Sequence, residues 1–170
     1  MKTMYKLIGS AALLIGLTTS ANAQSTATAS TTALLVTPIS IVKTTDMHFG
    51  TVAASGTAGT VVLDYANGRT TTGGATLPAG STLQKTAVFD VTGEGTSTFS
   101  ISIPSSPITL TGSVSGTMTV SNFVDDLGAT GTLVAGAKTI KVKATLNVGA
   151  GQAAGTYTNA SDLFVTVNYN

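Results

Sequence analysis

Apolar side chains recur at every second position along several short stretches, the period expected of strands with one buried face. The clearest is "KTIKVKATLNV", where Ile140, Val142, Ala144, Leu146 and Val148 oppose Thr139, Lys141, Lys143, Thr145 and Asn147. The same alternation places Ala87, Phe89 and Val91 together, then Phe99, Ile101 and Ile103, with Gly93–Gly95 between them reading as a hairpin connection. Met118 and Val120 form another set, and Met47 and Phe49 aim one way. So do Val61, Leu63 and Tyr65, which precede the Asn67–Gly68 turn signal. Periodicity fades over residues 68–82, a loop or ragged edge strands, and "GAGQAAG" at 149–155 is a further connection. No helical apolar stripe accompanies these strands. About eight to ten short strands predict an all-β, immunoglobulin-like two-sheet sandwich.

Two segments lack an obvious partner. In "SDLFVTVNYN", Leu163, Val165, Val167 and Tyr169 alternate with Thr166, Asn168 and Asn170; only Phe164 breaks the pattern, and no charge follows Asp162. An uncharged edge of this kind invites another strand. In "QSTATASTTALLVTP", Ala27, Ala29, Ala33 and Leu35 share one register and Thr26, Thr28, Ser30 and Thr32 the other, with no Gly before Pro38. Residues 24–36 therefore read as a donor-type strand. It pairs either with another chain or, as an ordinary edge strand, with its own. Burying Leu35 is worth about 2 kcal/mol and each of the three alanines somewhat under 1 kcal/mol. Each inter-strand hydrogen bond adds roughly 0.5–1.5 kcal/mol net. Together these approach the roughly 5–15 kcal/mol that holds a domain folded. A sandwich without this strand would be marginal and would expose an apolar groove.

The leading residues change the picture of where such a strand acts. Lys2 and Lys6 precede an apolar run from Leu7 to Leu17, followed by small residues at Ala21 and Ala23. This is the pattern of a secretory signal, residues 1–23, cleaved before Gln24 and too short for an anchored span. The expected organisation is thus a signal peptide, an extension over 24–36 and one sandwich domain over 37–170, in an exported chain. Two of the eight Lys and Arg residues lie in the signal, so six remain against seven acids. With that balance nothing attracts nucleic acid, and no second run is long enough to span a membrane. The chain has no Cys, which removes disulfides and thiolate metal sites.

Candidate chemistry is sparse. His48 is the sole histidine and alternates outward between Met47 and Phe49, without the partners a metal or a nucleophile would need. Asp125 and Asp126 read as a solvated turn, since no spaced calcium loop accompanies them. Lys138, Lys141 and Lys143 read as a solvated, aggregation-resistant strand face. Asn159-Ala160-Ser161 matches a glycosylation sequon, a short motif that carries little weight by itself. Tyr65, Tyr157 and Tyr169 are candidates for a sugar-binding platform, though tyrosines spread over strands are more often core or rim residues with an outward hydroxyl. No catalytic, cofactor-binding or metal-binding residue is assigned, and no enzyme activity is expected.

Four phrases carry a family resemblance: "PISIVKTTDMHFGTV" at 38–52, "TGEGTSTFSISIP" at 92–104, "GTMTVSNF" at 116–123 and "AGQAAGTYTNASDLFVTVNYN" at 150–170. They resemble a group of exported bacterial domains of mostly unknown function, which in turn look like spore-coat-protein-U and archaic chaperone–usher pilins. The chain departs from many better-known pilins in having no disulfide. The resemblance implies a filament subunit whose incomplete sandwich is filled by the extension of a neighbouring copy, of the same or a related subunit. It further implies a periplasmic chaperone and an outer-membrane usher as partners. On this reading Ala27, Ala29, Ala33 and Leu35 are the donor residues. Ile39, Ile41, Leu163, Val165, Val167 and Tyr169 border the acceptor groove. The alternative is a self-contained secreted or periplasmic binding or adhesion module, with carbohydrate as a candidate ligand.

Overall fold

The computed structural model describes residues 24–170, so the signal expected over residues 1–23 lies outside the described residues. The chain divides into two units between Leu34 and Leu35 in sequence. Residues 24–34 carry no strand and are exposed. The second unit, from Leu35 onward, is all-β, with eleven strands and no helix. They are β1 (Ser40–Thr45), β2 (Gly59–Leu63), β3 (Arg69–Gly73), β4 (Ala87–Thr92), β5 (Thr98–Ser102) and β6 (Ile108–Gly112). There follow β7 (Thr117–Asp125), β8 (Thr130–Thr132), β9 (Ala137–Val148), β10 (Tyr157–Thr158) and β11 (Thr166–Tyr169).

The longest strand organises the larger sheet. On one side of β9, β4 pairs along residues 137–142 and β2 along 144–148; β7 takes the other side. β1 extends the sheet beyond β4, β3 beyond β2, and β6 and β10 beyond β7, giving eight strands. A three-stranded sheet, in the order β11-β5-β8, forms the second layer. The five alternating residues of β9 are all buried, as the pattern required. Ile140 and Val142 join Ala87, Phe89 and Val91 against Phe99, Ile101, Leu133 and Val167, which is the core between the sheets.

The small sheet covers only part of the large one. Ala144, Leu146 and Val148, with Val61 and Val120, form a second core closed by Met47, Phe49, Val52 and Leu77 from irregular segments. Those segments are tied to each other through main-chain bonds between Ala53 and Thr76, and to Lys85 through His48. The Arg69 guanidinium donates to the carbonyls of Phe49 (2.7 Å) and Thr51 (2.9 Å), supporting the turn that Gly50 makes at φ 72°.

Several expectations need correction. Gly93–Gly95 is not a hairpin: β4 and β5 belong to different sheets, and the connection carries the chain from one layer to the other. Inward alternation is the same for a hairpin and for a crossover, so periodicity alone does not separate them. Of the two readings of 68–82, loop or ragged edge strands, the edge strand holds in part: β3 pairs with β2 in a regular ladder, and its Thr72 hydroxyl lies 2.7 Å from that of Thr60. Asp125 is 8% exposed, not solvated; its Oδ1 accepts from the N–H groups of Leu127 (2.9 Å) and Gly128 (2.6 Å), closing the turn into β8. The three lysines do not share a face. Lys138 lies in the parity of Ile140 and Val142, whereas Lys141 and Lys143 point outward, Lys143 5.0 Å above the Tyr65 ring.

Candidate functional site

The six residues expected to border a groove all pack on one core, the one between the sheets. Val167 is buried there, and Ile39, Ile41, Leu163, Val165 and Tyr169 are partly buried against it. They come from opposite layers. Ile41 lies on β1, the edge of the large sheet next to β4; Val167 and Tyr169 lie on β11, the edge of the small sheet next to β5. β1 and β11 approach within 8 Å, Cα to Cα, yet no ladder joins them.

Ladder parity decides what these edges present. Asn170 donates its N–H to the Thr98 carbonyl, in the same register that matches Asn168 with Ser100 and Thr166 with Ser102. Those residues turn their main-chain groups toward β5, so Val165, Val167 and Tyr169 turn theirs away, to the open edge. On the other side, Gly93 donates to the Gly136 carbonyl in the register of the β4–β9 ladder. That parity aims Val91 at β9 and Thr92 and Asp90 at Ser40 and Val42, leaving the N–H and C=O of Ile41 facing the gap. Two apolar-lined edges therefore face one another with free donors and acceptors. The ladder on β11 begins only at Thr166, not at Leu163 as alternation suggested, although Leu163 and Val165 keep their side chains on the core. Phe164, the break in the pattern, is 52% exposed and stands beside a shallow cleft with Pro104, Pro107 and Ile108.

A hydrogen-bonded bridge closes one end of the gap. The Tyr169 hydroxyl accepts from the Glu94 N–H (2.6 Å) and donates to the Thr37 carbonyl (2.7 Å), while the Glu94 carboxylate accepts from the Thr37 N–H (3.0 Å). Gly93 is required beside it, because a Cβ there would collide with the tyrosine oxygen. The sequence gives no sign of this bridge, since Thr37 and Tyr169 stand 132 positions apart. The main-chain N–H of Thr37, helped by its side chain, holds the Glu94 carboxyl below the usual Glu range. A lowered folded value means that the bond is complete above the ordinary Glu pKa and is lost as pH falls through the lowered one. An NMR titration should show the Thr37 amide shifting with a midpoint below that of exposed glutamates.

The remaining candidates lie elsewhere. His48 is exposed, and its Nδ1 accepts from the Gly50 N–H at 2.8 Å. Asn159 spends its side-chain amide on the Thr109 carbonyl and Asp162. The tyrosines form no shared platform. Tyr65 follows β2 and donates to the Asp125 carbonyl, with burial and then the charges of Asp125 and Asp126 pushing its pKa up; Tyr157 sits on β10 and donates to Ala153; Tyr169 is in the bridge. Among the described residues no group of three His, Cys, Asp or Glu side chains converges to hold a metal.

No curated protein and no solved structure matches the chain. Residues 39–169, which contain both edges and nearly the whole sandwich, match the family described as "Domain of unknown function (DUF4402)". The chain belongs to that family.

Proposed function

We propose that the protein is an exported, non-enzymatic structural subunit of a cell-surface filament, assembled when residues 24–36 of one copy lie in the gap between β1 and β11 of the next. The observation that carries this reading is the pair of open edges. Val165, Val167, Tyr169 and Ile41 offer unpaired main-chain groups, and their side chains floor the gap with the core. A strand seated there bonds on both sides and lays one face on apolar side chains, which is recognition by strand addition. Residues 24–36 fit the requirement: they are exposed in the described chain, Ala27, Ala29, Ala33 and Leu35 share the odd register with only Ser25 and Thr31 polar in it, and thirteen extended residues reach about 43 Å, well beyond the seven positions from 163 to 169.

Seating a strand between two others needs about 9.6 Å, twice the inter-strand spacing, so β1 and the segment ending in β11 part slightly on binding. In transit the unfilled edges call for a periplasmic chaperone that occupies them and an outer-membrane usher that exchanges it for the next subunit. Donor residues Ala27, Ala29, Ala33 and Leu35 set the register, because a one-residue slip would turn threonines onto the core.

A peptide of residues 24–36 added to the chain that lacks them tests this. Uptake should raise the unfolding midpoint with peptide concentration, by the equivalent of about 2.7 kcal/mol at one hundred times Kd. A midpoint indifferent to the peptide would favour the self-contained module.

A further inference from the structure

We infer that Thr37, Pro38, Glu94 and Tyr169 form an exit clip that stops the extension from filling the gap of its own chain, so that the gap stays free for a second copy. The inference rests on the strand-addition reading above and concerns how that site is kept open. Thr37 lies at the Tyr169 end of the gap, where both of its main-chain polar groups are held by the body: its N–H by the Glu94 carboxylate and its carbonyl by the Tyr169 hydroxyl.

Strand directions decide what self-filling requires. Ser40 pairs with Thr92 next to the bridge, so β1 runs away from it, whereas β11 runs toward it and ends at Tyr169. To enter its own gap, the extension would have to form a hairpin with β1, reversing within Val36-Thr37-Pro38-Ile39. Two-residue hairpin turns demand positive φ at one or both central positions. Pro38 is locked near −65° and Thr37, being β-branched, is poorly suited to the left-handed region. The residue before a proline is moreover driven to extended backbone, the geometry in which the bridge can hold Thr37. Local stereochemistry and the bridge thus oppose the same reversal. A strand arriving from another copy needs no turn and is not subject to either.

The test uses the full chain from residue 24 with Thr37→Asn and Pro38→Gly, which installs an Asn-Gly turn, together with Glu94→Ala, which removes the carboxylate from the clip. The share of chains that are monomeric, resistant to proteolysis within 24–36 and unable to bind added leader peptide should rise by roughly tenfold, the factor that about 1.4 kcal/mol yields. Chain-to-chain assembly should fall in step. The same substitutions in the chain lacking 24–36 serve as the folding control, since this form should take up the leader peptide as its parent does. If the full-length variant assembles like the parent, with its extension still cut readily, the clip is overturned while strand addition stands. If the unsubstituted leaderless chain binds no peptide, strand addition itself fails, and the clip with it.

Discussion

Replacing Leu35 by Asp is expected to leave the stability of the isolated chain unchanged to within about 0.5 kcal/mol and to abolish capture of the extension by a second copy. Leu35 is 97% exposed, so nothing in the isolated chain depends on its side chain. Seated in the gap, it would be the largest apolar donor side chain. Its loss removes about 2 kcal/mol of burial, and an unpaired carboxylate in that position adds at least a further ~2 kcal/mol. The sum corresponds to roughly a thousandfold weaker binding. Thr32→Asp places the same charge in the outward register and should weaken binding far less. Calorimetric titration of the leaderless chain with the two peptides checks both, and equal effects would contradict the assigned register.

The second large effect lies in the fold that holds the edges. Phe99 is fully buried at the centre of the small sheet, its ring lying over Gly131 so closely that a Cβ there would collide with it. Phe99→Ala is expected to cost about 3–5 kcal/mol, from lost burial and the cavity left behind. Gly131→Ala should cost about 1–3 kcal/mol by overpacking. Because β5 is, among the described residues, the only strand that pairs with β11, loosening Phe99 should also blunt uptake of the leader. Denaturant unfolding measures the first effect and peptide titration the second. A cost for Phe99→Ala below about 1 kcal/mol would be incompatible with a core shared by the two sheets.

How much of this was legible in the sequence follows from what alternation encodes. It reports which side chains face inward, and Ile140 to Val148, Phe89, Phe99 and Val167 are all buried as read. Alternation carries no record of which strand lies beside which. The passage from β4 to β5 therefore read as a hairpin although it changes sheets, and the onset of the β11 ladder at Thr166 was not visible. The six residues read as bordering a groove all pack on the core, because apolar parity marks the core side of an edge as well as of a central strand. Whether the edge is open depends on main-chain pairing, which side-chain identity does not report. The burial of Asp125 and the bridge made by Tyr169 were not legible for a related reason. A carboxylate folded onto its own turn, and a hydroxyl reaching across the sandwich to Thr37, are satisfied by main-chain groups that any sequence would supply.

Site-resolved hydrogen exchange on the leaderless chain, with and without the 24–36 peptide, tests the central claim most directly. Without peptide, the Thr166 and Asn168 amides, bonded toward β5, should be protected, while those of Val165, Val167, Tyr169 and Ile41 exchange freely. Adding the peptide should slow this second set and leave the first unchanged. Protection of Val165, Val167 and Tyr169 before any peptide is added, or free exchange after saturation, would contradict a body that waits for a neighbour's strand.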